Sequence, residues 1–140
     1  MEIKKVVVIG SGTMGSGIAA HLCNANIPVT LLDLKTEISE QARDKIYKSR
    51  PPLLLDKSKI KNIKVGNILD NFDEVKEADW VVEAVVERID IKHDIYKKIF
   101  KERKKGAIVS SNTSSIPIKI LSQHLSEEEK KDFCITHFFN

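Results

Sequence analysis

Val6-Val7-Val8-Ile9-Gly10-Ser11-Gly12-Thr13-Met14-Gly15 decides the fold: four consecutive apolar β-branched residues run directly into a Gly-x-Gly-x-x-Gly turn. An unbroken apolar run of this kind is the pattern of a strand buried on both faces of a parallel sheet. Each glycine then has its own use. Gly10 permits the tight turn, Gly12 lets backbone approach a pyrophosphate, and Gly15 lets the following helix pack close to the strand. The helix opens with free N–H groups and the positive end of its dipole, so Gly10, Ser11, Gly12, Thr13, Met14 and Gly15 form a candidate anion cradle for a dinucleotide.

Outward from the turn, Ile27-Pro-Val-Thr-Leu-Leu-Asp33 reads as a second buried strand that ends in an acid, and Asp33 follows Gly10 by 23 residues. A carboxylate about 20 residues past the turn is placed to accept a hydrogen bond from the adenosine ribose, and it repels a 2′-phosphate, which favours NAD over NADP. Lys35 softens that preference. The alternative is that Asp33 caps the next helix.

The rest of the chain alternates in the same manner. Met14, Ile18, Leu22 and Ala25 fall at helical spacing, and Asn26 is a stop before Pro28. Ile38, Ala42 and Ile46 predict a helix from about Thr36 to Ser49, ended by Pro51-Pro52. Leu53 to Lys59 reads as a loop or short helical turn, Ile63-Lys64-Val65 as a short strand, and Gly66-Asn67 as a turn. Ala78 to Glu87, apolar between acids, predicts a central strand buried on both faces. Ile91, Ile95 and Ile99 mark one face of a helix whose last turn holds Lys101, Arg103, Lys104 and Lys105. Gly106 suits its C′ position, and the basic run reads as a solvated helix end. Ala107 to Ser110 and Phe133 to Phe139 are the last strands. The expected architecture is an α/β, Rossmann-type doubly wound and mainly parallel sheet of about six strands, formed by residues 1–140 as one domain.

Composition narrows the function. Hydrophobic residues at 41% and charged residues at 31% describe an ordinary globular protein, and no apolar run approaches bilayer length. The net charge of +3 and the scattered lysines give no basic stripe for nucleic acid. Met1-Glu-Ile-Lys-Lys5 leads straight into a strand, with no leader pattern. Cys23 and Cys134 lie far apart, with neither disulfide-framework nor metal-ligand spacing, so free thiols and a cytoplasmic location are expected.

Parallel sheets bind ligands at the carboxyl ends of their strands, where this sequence places its unusual polar residues. Glu87 follows the fourth predicted strand. Ser111-Asn-Thr-Ser-Ser115 follows the fifth and can hydrogen-bond a ribose or substrate oxygen, or simply form a turn with a cap. His137 falls near the end of the sixth, either as a satisfied core residue or as a proton acceptor near neutral pH.

Gly10-Ser-Gly-Thr-Met-Gly-Ser-Gly17, Val82-Glu-Ala-Val-Val-Glu87, Ser111-Asn-Thr-Ser-Ser115 and His137-Phe-Phe-Asn140, in that order and spacing, resemble the NAD-binding domain of the 3-hydroxyacyl-CoA dehydrogenases over nearly the whole chain. The charged Lys57–Asp79 connection and the run Trp80–Lys92 look most similar to the larger members joined to an enoyl-CoA hydratase. The resemblance implies reversible oxidation of (S)-3-hydroxyacyl-CoA to 3-oxoacyl-CoA by hydride transfer to NAD, in fatty-acid β-oxidation. It makes His137 the base and Ser114 the partner of the substrate oxygen, close to the nicotinamide. It assigns Glu87, Lys92 and Asn140 to the cofactor, and Ser49 to the CoA moiety. In the family a glutamate about a dozen residues past the histidine stabilises the imidazolium, and a helical second domain completes the acyl pocket and supplies dimer contacts. The intact enzyme is therefore expected to be a homo-oligomer, and these 140 residues to bind NAD without appreciable turnover. Another hydroxy-acid dehydrogenase would share the glycines but not the serine run followed by His137. A non-catalytic NAD-binding module or redox sensor would keep the cradle and lose the chemistry.

Overall fold

The alternation of apolar runs and amphipathic segments builds one open sheet covered on both faces. The computed structural model describes residues 1–139. Strands β1 (Val6–Ile9), β2 (Val29–Asp33), β3 (Ile63–Asn67), β4 (Trp80–Glu83), β5 (Ile108–Ser111) and β6 (Phe133–Ile135) are all parallel, in the order β3-β2-β1-β4-β5-β6. They alternate with helices α1 (Thr13–Asn24), α2 (Thr36–Lys48), α3 (Ile89–Glu102), α4 (Ile118–Leu121) and α5 (Glu127–Lys130), and with 3-10 segments at Lys57–Asn62 and Phe72–Glu77. Because successive strand residues point to opposite faces, Val6 and Val8 join the core under α1 and α2, while Val7 and Ile9 join the one under α3. All four are fully buried, which is why β1 reads as a continuous apolar run. The strand order reverses between β1 and β4, and that is where such sheets open a ligand crevice at their carboxyl edge.

Several strand ends differ from expectation. β4 is central, but it stops at Glu83 rather than Glu87, because both neighbours stop there: Ile9 of β1 and Ser111 of β5 are opposite Glu83. The chain then turns away as the Glu83 carboxylate accepts a bond from Val85 N at 2.9 Å. β6 ends at Ile135 rather than Phe139, since β5, its one neighbour, ends at Ser111; beyond Thr136, Phe138 N donates to the Asn112 side chain at 2.8 Å. Gly66-Asn67 is not a turn but the end of β3, opposite Leu32 and Asp33; the turn follows at residues 68–70, and Asn71 Oδ1 accepts from Asn67 N across it.

The basic end of α3 is also more than solvated charge. Gly106, at φ +84°, lies in the turn before β5 and not at C′. Arg103 is largely buried, bonding Ala107 O at 2.7 Å and Asp132 at 2.6 Å, so it ties the helix end to the entries of β5 and β6. Cys23 and Cys134 are free thiols. No helix among the described residues is long and apolar enough to cross a membrane.

Candidate functional site

The glycine turn joins β1 to α1 with little room to spare. Gly10 sits at φ +103°, where a side chain would be strained, and a Cβ there would fall 2.4 Å from Ala84 O. A Cβ on Gly15 would fall 1.8 Å from Gly10 O, so helix and turn touch backbone to backbone. Gly12 is the opposite case, because nothing lies within 4 Å of its Cβ position. It is the N-cap of α1, offers no side-chain cap, and has no acid in the turn that follows. The first amides of α1 therefore point their hydrogens and the positive helix end at open space, an arrangement that fits a phosphate.

Asp33, at the end of β2, is bound into this turn. Its Oδ2 accepts from Ser11 N at 2.8 Å and Ser11 Oγ at 2.5 Å, while Oδ1 accepts from Leu34 N at 2.7 Å. It does not cap the next helix; Lys35 holds that position, with no side-chain bond. Two strands adjacent in the sheet thus fix the glycine turn and the acid relative to each other.

The opposite wall is an ionic network at the end of β4. Glu83 is fully buried and its carboxylate accepts from Lys92 Nζ at 2.6 Å, Val85 N at 2.9 Å, Ser111 Oγ at 2.7 Å and the Tyr96 hydroxyl. Lys92, also buried, reaches Glu87 at 3.0 Å. Glu87 accepts from Thr113 Oγ1 at 2.7 Å and Ser115 Oγ at 3.2 Å, which pins the serine loop on both sides of Ser114. Burial raises the Glu87 carboxyl, but the bonds from Thr113 and Lys92 prevail and hold it below the ordinary carboxylate range. Burial, and then the neighbouring Glu83 charge, push the Tyr96 hydroxyl well upward, so it stays protonated and donates.

Met14, Glu87, Lys92, Ser114, His137 and Phe139 meet in one cleft of about 360 Å³. Of the residues singled out in the sequence, the cradle's Met14 and the strand-end residues Glu87, Lys92, Ser114 and His137 are thus brought together. His137 is exposed, its ring 4.6 Å from that of Phe139, so it is not a core histidine. Ser114 is exposed in the loop, while the turn-forming bonds fall to its neighbours: Thr113 Oγ1 accepts from Ile116 N and Ser111 Oγ from Thr113 N. Ser49 is not in this cleft. It lines a separate cavity of about 390 Å³ beside α1 and α2, with Ser11, Thr13 and Lys45, and its hydroxyl donates to Pro51 O at 2.9 Å. Asn140 lies outside the described residues.

Sequence reasoning singled out the run from Ser111 to Ser115 but missed the buried partners Glu83 and Tyr96. The available signal was an acid inside an apolar strand with a lysine on the next helix, because a carboxylate buried there needs a counter-charge.

Comparison with known proteins gives the family. The description "3-hydroxyacyl-CoA dehydrogenase, NAD binding domain" matches residues 5–140. The chain belongs to this family. It is 42% identical to a probable 3-hydroxyacyl-CoA dehydrogenase of Deinococcus radiodurans over 100% of the chain and 42% of that protein. A probable 3-hydroxyacyl-CoA dehydrogenase of Bacillus subtilis is 40% identical over 99% of the chain and 20% of its own length. The crystal structure of 3-hydroxybutyryl-CoA dehydrogenase from Escherichia coli superposes with a TM-score of 0.86 at 26% identity, covering 100% of this chain and 30% of that one. The chain therefore spans about two fifths or less of these relatives. Among 3-hydroxyacyl-CoA dehydrogenases it corresponds to the NAD-binding part, so the cofactor and Rossmann-type fold expected from the glycine turn are those of its family.

Proposed function

We propose that these residues form the NAD-binding domain of an oxidoreductase that interconverts (S)-3-hydroxyacyl-CoA and 3-oxoacyl-CoA in fatty-acid β-oxidation. The observation that carries the reading is the meeting of the cradle's Met14 with Ser114 and His137 in one cleft. The cradle fits the cofactor: the amides at the start of α1 and Gly10–Gly15 hold the pyrophosphate, Asp33 the adenosine ribose, and Glu87 and Lys92 the far end, with Asn140 assigned there by resemblance. NAD, when bound, supplies the hydride acceptor.

The chain's own residues handle the proton and the substrate. A ring nitrogen of His137 accepts the proton from the 3-hydroxyl oxygen as that oxygen becomes a carbonyl, and returns it in the reverse direction. The Ser114 hydroxyl donates a hydrogen bond to the same oxygen and fixes its distance from the imidazole. The imidazolium formed needs a carboxylate to stabilise it, and by resemblance that group is a glutamate outside these residues. Ser49 is assigned to the CoA moiety, in its own cavity. We place the enzyme in the cytoplasm as a homo-oligomer acting on acyl-CoA. The relatives' names support the acyl-CoA substrate and the free cysteines a reducing compartment, while the homo-oligomer follows from the family resemblance.

The test has two parts. Titration of the chain with NAD and NADP should show binding that favours NAD; absence of binding overturns the cofactor assignment. In the active dehydrogenase, His137→Gln should lower turnover of acetoacetyl-CoA with NADH by about 10²–10⁴-fold with cofactor affinity nearly unchanged. If NAD affinity is lost instead, His137 is structural.

A further inference from the structure

The wall of the cleft carries three charges in a row. Lys92 lies between Glu83, at 2.6 Å and fully buried, and Glu87, at 3.0 Å and 41% exposed at its side chain. One ammonium between two carboxylates leaves a net charge of −1. Lys92 is already neutralised on its buried side, so the excess sits on Glu87, the member that faces the cleft. Among the described residues, Glu87 has no ion-pair partner besides Lys92. Arg88 is engaged with Asp90 at 2.8 Å, and the other ligands of Glu87, Thr113 and Ser115, are neutral. His137, the remaining ionisable group of the wall, is common to every comparison below.

We infer that Glu83 sets the charge of this cleft: by taking up the Lys92 ammonium it leaves Glu87 as an uncompensated carboxylate that favours the oxidised cofactor over the reduced one. The inference rests on the NAD reading above. The oxidised nicotinamide ring is cationic and the reduced ring is neutral, so a fixed negative charge on the wall stabilises one and not the other. Without Glu83, Lys92 and Glu87 would form a neutral pair and the discrimination would fall. Glu83 touches neither cofactor nor substrate in this account; it is a positioning and charge-setting residue acting through Lys92.

The test is the ratio of dissociation constants for NAD and NADH, measured by titration of the chain. Glu83→Gln keeps the shape and one acceptor oxygen for Lys92 and Val85 N but removes the charge. It should weaken NAD relative to NADH by about threefold to tenfold, as expected for one half-exposed unit charge. Glu83→Asp, which keeps the charge, should retain the original ratio even if the fold is less stable. Glu87→Gln, which makes the cluster neutral from the other side, should shift the ratio in the same direction, and a constant ratio there overturns the inference even if Glu83→Gln fails to fold. A merely structural role would change both affinities together, so a constant ratio in Glu83→Gln overturns the inference. Failure of the unmodified chain to bind either cofactor would overturn the NAD reading itself, and is distinguishable because no ratio then exists.

Discussion

Asp33, the proposed ribose partner, also braces the glycine turn through Ser11, and this second job was not visible in the sequence. Its distance from Gly10 identified it as the candidate ribose partner, because that spacing is fixed by the length of a strand-helix-strand unit. Its bonds to Ser11 N and Oγ were illegible, because they depend on the β1–β2 register. Asp33→Ala should therefore weaken NAD and narrow the gap to NADP in a titration, while Ser11→Ala should do so to a smaller degree, since it removes the hydroxyl bond but keeps the backbone bonds to the carboxylate. An unchanged NAD:NADP preference in Asp33→Ala would remove Asp33 from the ribose. Glu83 and Glu87 show the same limit from another side. Both flank apolar residues in the sequence, and only the common end of β1, β4 and β5 decides that the first is buried and the second faces the cleft.

Among the elements, the β1-turn-α1 unit was the most readable, since each glycine answers to a local steric demand. Two substitutions separate packing from binding. Gly15→Ala places a Cβ 1.8 Å from Gly10 O, inside backbone that cannot yield cheaply, and should destabilise the chain by about 3 kcal/mol or more in urea unfolding. Gly12→Ala meets nothing within 4 Å and should leave the urea midpoint almost unmoved while reducing NAD affinity, because the added methyl occupies space the phosphates need. Equal loss of stability in the two would mean that Gly12 is structural. Lys92→Met tests the β4–α3 junction. It leaves Glu83 buried without its counter-charge and should lower stability by about 3–5 kcal/mol, measured the same way. The ends of β4 and β6 were harder to read than their centres, because an apolar run does not reveal where the neighbouring strand stops offering hydrogen bonds.

Across the whole molecule, long-range ion pairs tie the amino ends of the strands together, and they fix how stability depends on pH. Glu74 is held below its ordinary range first by the hydrogen bond from Lys5 and then by that from Lys64. Asp79 is lowered first by Lys104 and then by the backbone N–H of Lys4. Carboxyls depressed in the native state bind protons more readily when unfolded. Their contribution is thus complete above the ordinary carboxylate range, near pH 4 to 4.5, and is lost as pH falls through their lowered values. The thermal midpoint should be level down to about pH 5 and fall below it; a constant midpoint from pH 5 to pH 3 would show that these pairs contribute nothing. The strand order has a further consequence, for synthesis. β1 leaves the ribosome before the other strands of this sheet, yet one of its two edges is closed only by β4, with Val6 opposite Trp80. At about 5–20 residues per second, the roughly 50 residues between the ends of β2 and β4 take about 3–10 s to emerge. Through that interval a four-residue apolar strand stands with one edge unpaired, and it is there that a nascent chain of this topology is most open to holding by a chaperone or to pairing with a wrong partner.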